Sequence, residues 1–276
     1  MRLLEPFFLA TPHGRRFCLH YVPVGSVRGL VVYVHPWAEE MNKSRRMAAE
    51  MSRRLALQGF AILQLDLAGC GDSEGDFSDA TWPLWISDIA AAVSWLKRRY
   101  PSVPLTLWGL RLGGLLAAAY AATDRNCSRL LLWAPIANGE QYLTQFLRLR
   151  VASQMLASQQ ESGGTQQLMQ QLREGQSVEV AGYSLPPALA LPLVESRLAN
   201  YLRDGLDVEW FELLANAERP VPPVVEKLVQ DWRGKGSEIR LHKLQGEAFW
   251  STQEITDVPD LWDVTLQALV GGNVVS

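Results

Sequence analysis

Cysteine is scarce in this sequence: among 276 residues there are three, Cys18, Cys70 and Cys127, at wide and irregular spacing. An odd count with no Cys-x-x-Cys pair excludes a disulfide framework and a zinc site, and it points to a reducing compartment. Long apolar runs are missing too. No segment reaches the roughly 18 uninterrupted apolar residues of a membrane span. Met1 to Ala10 has one basic residue and an apolar run broken by Pro6, so it does not read as a signal peptide. Charge of one sign is also lacking. The formal net charge of −3 gives no electrostatic reason to expect nucleic acid or an anionic membrane as a partner. A cytoplasmic protein without metal or cofactor is the expectation, and neither an internal repeat nor a Gly/Ser linker divides the chain.

What is present is the composition of a packed domain, 48% hydrophobic and 20% charged, long enough for one large core plus an insertion. Strand-like runs at Glu5 to Ala10, Arg16 to Tyr21 and Gly29 to Val34 open the chain, with a turn at Pro12-His13-Gly14. Helical spacing of Met47, Met51 and Leu55 predicts a helix over Lys43 to Gln58, capped by Gly59. Strands at Ala61 to Leu65, Leu105 to Leu110 and Arg129 to Ala134 then alternate with helices at Trp82 to Tyr100 and Leu112 to Ala122. This order predicts an α/β fold with a mostly parallel, doubly wound sheet, whose ligands sit at the C-terminal ends of the strands. From Asn138 to about Gly205 the alternation breaks into a Gln-, Leu- and Ala-rich stretch, read as a mostly helical lid insertion with a loose loop near Gly163. It resumes with a strand at Val208 to Leu214, a helix at Val221 to Trp232, a strand at Glu238 to Leu244 and a helix at Leu261 to Val270. The expected division is a core of residues 1–137 and 206–276 and a cap of residues 138–205.

One junction carries chemical information. Leu105 to Gly114 is an apolar strand, a Gly109-Leu-Arg-Leu-Gly113 turn and a helix of small residues, the layout of a nucleophile elbow, in which glycines permit the tight bend. The middle position, where that motif has serine, holds Arg111. A guanidinium stays protonated and cannot attack a carbonyl. His35-Pro36-Trp37 follows the third strand, where such folds place an oxyanion-hole loop, and Asp66 to Ser73 matches the Asp-x-x-Gly-x-Gly-x-Ser stretch after the next strand.

With these motifs the sequence resembles the α/β-hydrolase superfamily. More narrowly, it is similar to the exosortase A system-associated hydrolases in His35-Pro-Trp-Ala-Glu-Glu-Met-Asn-Lys-Ser-Arg-Arg46, Gly109-Leu-Arg-Leu-Gly113 and Gly246-Glu-Ala-Phe-Trp250. The resemblance implies a bacterial exopolysaccharide or exosortase context. In the superfamily the triad acid follows the strand after the lid, where Glu218 stands, and the histidine follows the last strand. Gly246 to Trp250 contains no histidine, and His242 falls inside the predicted strand, poorly placed to deprotonate a nucleophile.

Arg111 therefore needs another role. Glu39, Glu40, Glu218 and Glu247 belong to loops at the same sheet edge, with Asp72 nearby, and Glu40 and Glu247 are the favoured partners of a guanidinium that cannot be left unpaired in a pocket. One reading is a structural salt bridge. The other is anion recognition, with Arg111 and the N-terminus of the helix beginning at Leu112 holding a carboxylate or phosphate. Catalytic candidates are Arg111, Glu218 and Glu247; ligand-binding candidates are Arg111, Glu40, His35, Trp37, Leu112 and Trp250, with His35 chiefly shaping its loop. Lys43, Arg45 and Arg46 read as a solvated face, and Cys70 as a packed turn residue. Two functions stay open: binding of a small anionic or acyl-bearing ligand, or of a protein partner of the exopolysaccharide/exosortase system, and ester or thioester hydrolysis by a mechanism without serine.

Overall fold

A hairpin of two antiparallel strands, β1 (Leu4–Thr11) and β2 (Gly14–Tyr21), turns over Pro12 and His13 at the start of the chain. The computed structural model describes residues 3–156, 164–201, 203–216 and 218–271. It continues with β3 (Gly29–Val34), α1 (Ala38–Leu57), β4 (Phe60–Leu65), α2 (Trp82–Arg99), β5 (Leu105–Leu110), α3 (Leu112–Thr123) and β6 (Cys127–Trp133). The chain then leaves the sheet through α4 (Gly139–Leu156), α5 (Gly164–Arg173), a small hairpin of β7 (Val178–Val180) and β8 (Tyr183–Leu185), and α6 (Pro187–Glu195). It returns as β9 (Asp207–Leu214), α7 (Pro223–Gly234), β10 (Glu238–Gln245) and α8 (Pro259–Gly271).

The eight-stranded sheet runs β1-β2-β4-β3-β5-β6-β9-β10. β2 is antiparallel to both of its neighbours, and every pairing from β4 to β10 is parallel. All six residues of β3 and of β5 are buried, because helices cover both faces of a parallel sheet and leave no solvated side for alternation. Six tryptophans lie among the largest fully buried side chains. At ~150–250 Å² each, one such ring removes enough apolar surface to contribute about 4–6 kcal/mol.

From β3 the crossover runs to β4 on one side, and from β5 it runs to β6 on the other. The connections thus diverge between β3 and β5, and the crevice at their C-terminal ends is where a doubly wound sheet binds ligands. The residues after β3 and after β5 face this point.

Two elements depart from the sequence reading. The first helix begins at Ala38 rather than near Lys43, which puts Glu39 and Glu40 in its first turn, where the positive end of the helix dipole favours carboxylates. The mostly helical stretch between β6 and β9 also carries a hairpin that the sequence reading did not place. Ala181 and Gly182, with φ of 49° and 85°, form the two-residue turn that suits a tight hairpin, and β7 pairs with β8 around it. The loop expected near Gly163 lies outside the described residues. Among the described residues no helix is long and apolar enough to cross a membrane.

Candidate functional site

Arg111 occupies the bend between β5 and α3 with φ 53° and ψ −118°, a conformation that costs a non-glycine residue about 1–3 kcal/mol. The surroundings enforce it. Its N–H donates to the Trp133 carbonyl at 3.0 Å, and its own carbonyl accepts from Gly114 at 3.0 Å and Ile136 at 3.3 Å. A Cβ on Gly113 would lie 2.0 Å from the Val34 carbonyl oxygen, and one on Gly109 would lie 2.4 Å from the Gly113 backbone. Only glycine lets strand and helix approach this closely.

The bend projects the Arg111 guanidinium into the crevice, where its side chain is 20% exposed. Nε donates to Glu40 Oε1 at 3.4 Å and Nη1 to the Ala134 carbonyl at 3.4 Å. Both contacts are long for hydrogen bonds. Of five N–H donors, three are left without a protein acceptor among the described residues. The guanidinium carbon lies 5.0 Å from the centre of the Trp250 ring and 5.6 Å from that of Tyr142, within cation–π range. The Tyr142 hydroxyl donates to Glu40 Oε2 at 2.7 Å, so each oxygen of that carboxylate has a partner. Burial pushes the Glu40 carboxyl above its ordinary pKa, against the smaller pull of Arg111 and Tyr142. Glu212 of β9 is a second carboxyl raised by burial; the Trp210 indole donates to it at 3.0 Å, and the charge of Arg111 also acts on it.

A cleft of about 340 Å³ opens over the guanidinium. Tyr142, Phe146 and Leu149 of α4 line one wall, their spacing of three and four residues placing them on one helix face. Trp37, packed on Tyr142 and Phe146 with ring centres 5.5 and 4.8 Å apart, borders it together with Glu40, Lys43 and Trp250, and Ala181 and Tyr183 of the small hairpin complete the lining. The Tyr183 hydroxyl donates to Glu39 Oε1 at 2.8 Å. Lys43, expected on a solvated face, borders this cleft, whereas Arg45 pairs with Asp66 at 3.0 Å and Arg46 with Asp257 at 2.8 Å.

Several expected site residues stand elsewhere. Glu247 is exposed and has no contact with Arg111 among the described residues; Phe249 and Trp250, both buried, claim the inward side of its loop. Glu218 is likewise exposed, its N–H donating to Asn216 Oδ1 at 3.0 Å, while nearby Val221 turns into the core. Leu112 is 1% exposed and packs in the core rather than bordering the cleft. His35 is buried behind it. Its Nδ1 lies 2.6 Å from the Pro36 carbonyl, and its Nε2 accepts from the Leu67 N–H at 3.0 Å. That geometry assigns the proton to Nδ1, commits both nitrogens and ties the loop after β3 to the loop after β4. Burial lowers its pKa. His242 is stacked on Phe211, with ring centres 4.5 Å apart, and its Nε2 lies 2.7 Å from Glu209 Oε2. None of the four histidines lines the cleft. The sequence reading missed Tyr142, Phe146, Tyr183 and Glu212; the helical spacing of Tyr142, Phe146 and Leu149 was the available signal for the first two.

Residues 25–179, which contain both the loop after β3 and the elbow, match the family model described as serine aminopeptidase, S33. The chain belongs to this S33 family. Its α/β-hydrolase fold is shared with a thermostable carboxyl esterase from Bacillus coagulans, at TM-score 0.68 and 13% identity over 99% of this chain and 98% of the other. It is shared too with Est1E from Butyrivibrio proteoclasticus, solved with ferulic acid, at TM-score 0.67 and 15% identity over 96% and 97%. Among curated relatives, monoglyceride lipase of Rattus norvegicus is 31% identical over 124 residues, 44% of this chain and 39% of that protein. Human ABHD12B is 29% identical over 129 residues, 45% and 34% respectively. The matches therefore span little more than a third of these relatives' length.

Proposed function

We propose that this S33-family chain is a hydrolase-fold protein without serine-triad chemistry, in which Arg111 receives an anionic or acyl-bearing ligand. The observation that carries the reading is a cation at the elbow, held in a strained bend and bordering a largely apolar cleft, with three N–H groups that have no protein acceptor among the described residues and only long hydrogen bonds from the other two. An inert structural pair would be expected to satisfy its guanidinium at ordinary hydrogen-bond distances. Attack by the residue at the elbow is ruled out by its chemistry. Other nucleophiles lack a base. Ser251 borders the cleft, but its hydroxyl donates to the Ala248 carbonyl at 3.0 Å and no imidazole lies alongside. Cys70 is buried, and desolvation drives its thiol far above the range in which thiolate forms. In this reading residues 138–205 act as a lid over residues 1–137 and 206–276. The likeness of the run from His35 to Arg46 to the exosortase A system-associated hydrolases supports a role in a bacterial exopolysaccharide/exosortase system, with a protein of that system as partner beside the small ligand, and the three scattered cysteines support a cytoplasmic setting.

The test is a panel of p-nitrophenyl esters and acyl thioesters assayed with wild type, Arg111→Ala and Glu40→Ala, alongside thermal shifts with the corresponding free acids. The expected result is no turnover, with stabilisation by acids in wild type that Arg111→Ala abolishes. Ester or thioester turnover that persists in Arg111→Ala would overturn the reading in favour of a hydrolase with another mechanism.

A further inference from the structure

We propose that the cleft is shaped for a monocarboxylate with a medium-length apolar tail, its carboxylate on the free N–H groups of Arg111 and its tail against Trp37, Phe146 and Leu149. This rests on reading Arg111 as the ligand-binding cation and names the chemistry of the ligand. With Nε given to Glu40 and one Nη1 hydrogen to Ala134, the donors that remain include a hydrogen on each terminal nitrogen. Two parallel donors match the two oxygens of one planar carboxylate. Charge does not favour a dianion. Glu39 and Glu40 border the same cleft as Arg111 and Lys43, one carboxylate for each cation, and Glu40 already faces the guanidinium, so no second cation stands unopposed to receive a second negative charge on the ligand.

The walls select the tail. Tyr142 is tied to Glu40 beside the cation, and Leu149 lies two helical turns further along the same face, ~10 Å away at the rise of an α-helix. Leu149 is 53% exposed although it lines the cleft, and a tail running from the cation along α4 would cover it. The volume of about 340 Å³ stands at the lower end of ligand sites, roughly 300–1,000 Å³, which fits a chain of medium length better than a diacyl lipid.

The experiment is calorimetric titration of the full chain with octanoate, octanamide, octyl phosphate and inorganic phosphate. Octanoate is expected to bind saturably and at least about tenfold more tightly than octanamide, the step of one charge-assisted contact. Arg111→Gln should remove that preference. Leu149→Asp, at an exposed position that tolerates polarity, should weaken octanoate about fivefold or more with an unchanged melting temperature, through lost apolar cover and added repulsion. Equal binding of octanoate and octanamide, no saturable heat from any probe, or indifference to Leu149→Asp overturns the proposal. Preference for either phosphate, lost in Arg111→Gln, also overturns it while leaving the binding role of Arg111 in place. Turnover independent of Arg111 strikes the functional reading instead, so the two failures are distinguishable.

Discussion

Glu40 sits between a guanidinium on one oxygen and a phenol on the other, with Glu39 and Lys43 as neighbours in its own helix. Its pKa is raised by burial, so the folded chain holds this proton more tightly than the unfolded chain. The sign follows directly. Folded stability from this group is greatest below the ordinary carboxylate value and declines as pH rises through the raised folded value. Protonation also removes the internal anion that competes for Arg111. Affinity for an anionic ligand is therefore expected to rise as pH falls through that window, and Glu40→Gln should flatten the profile and hold it near its acidic limit. Titration of octanoate or another bound acid across the weakly acidic to neutral range checks this; a flat wild-type profile would contradict it.

At the scale of elements, the elbow works because two glycines admit a helix and a strand to near contact. Gly113→Ala would drive a methyl to 2.0 Å from the Val34 carbonyl oxygen, against backbone that cannot rotate away. A loss of about 3 kcal/mol or more is expected, at the upper end of overpacking costs, measurable by urea denaturation against Gly234→Ala, whose Cβ meets nothing within 4 Å. This junction was legible in the sequence because glycine spacing, an apolar strand and a small-residue helix all agree. So was the alternation that yields the parallel sheet. The first turn of α1 was less legible, since an acidic pair before an amphipathic run reads equally as loop or as helix start. The β7–β8 hairpin was hidden because three-residue strands carry too short a pattern to stand against helical surroundings. Glu218 and Glu247 were placed by loop position alone, and loop position does not say which way a side chain points. That is decided by which neighbours are apolar, here Val221, Phe249 and Trp250.

The whole molecule is pinned across its layers by a buried ion pair remote from the cleft. Arg16 of β2 and Asp88 of α2 are 0% and 1% exposed, with Nε 2.8 Å from Oδ1. The second oxygen of Asp88 accepts from the Ala68 N–H at 2.8 Å, and Arg16 Nη2 donates to the His13 carbonyl at 3.0 Å. One cluster thus joins the first hairpin, a helix and the loop after β4. Asp88→Ala is expected to cost about 3–5 kcal/mol because it strands a buried cation, whereas Arg16→Met combined with Asp88→Leu should recover most of the loss. Denaturant midpoints of the three variants decide it, and a double variant no better than the single one would count against this account.

Glu40 has one more consequence, since the phenol on its far oxygen belongs to α4, which lines one wall of the cleft. A guest that claimed the guanidinium would leave this acid free to take up a proton, and a neutral acid grips a phenol less firmly than an anion does. Occupancy of the guanidinium and slackening of that wall would then be a single chemical event, with a hydrogen ion as the messenger between them.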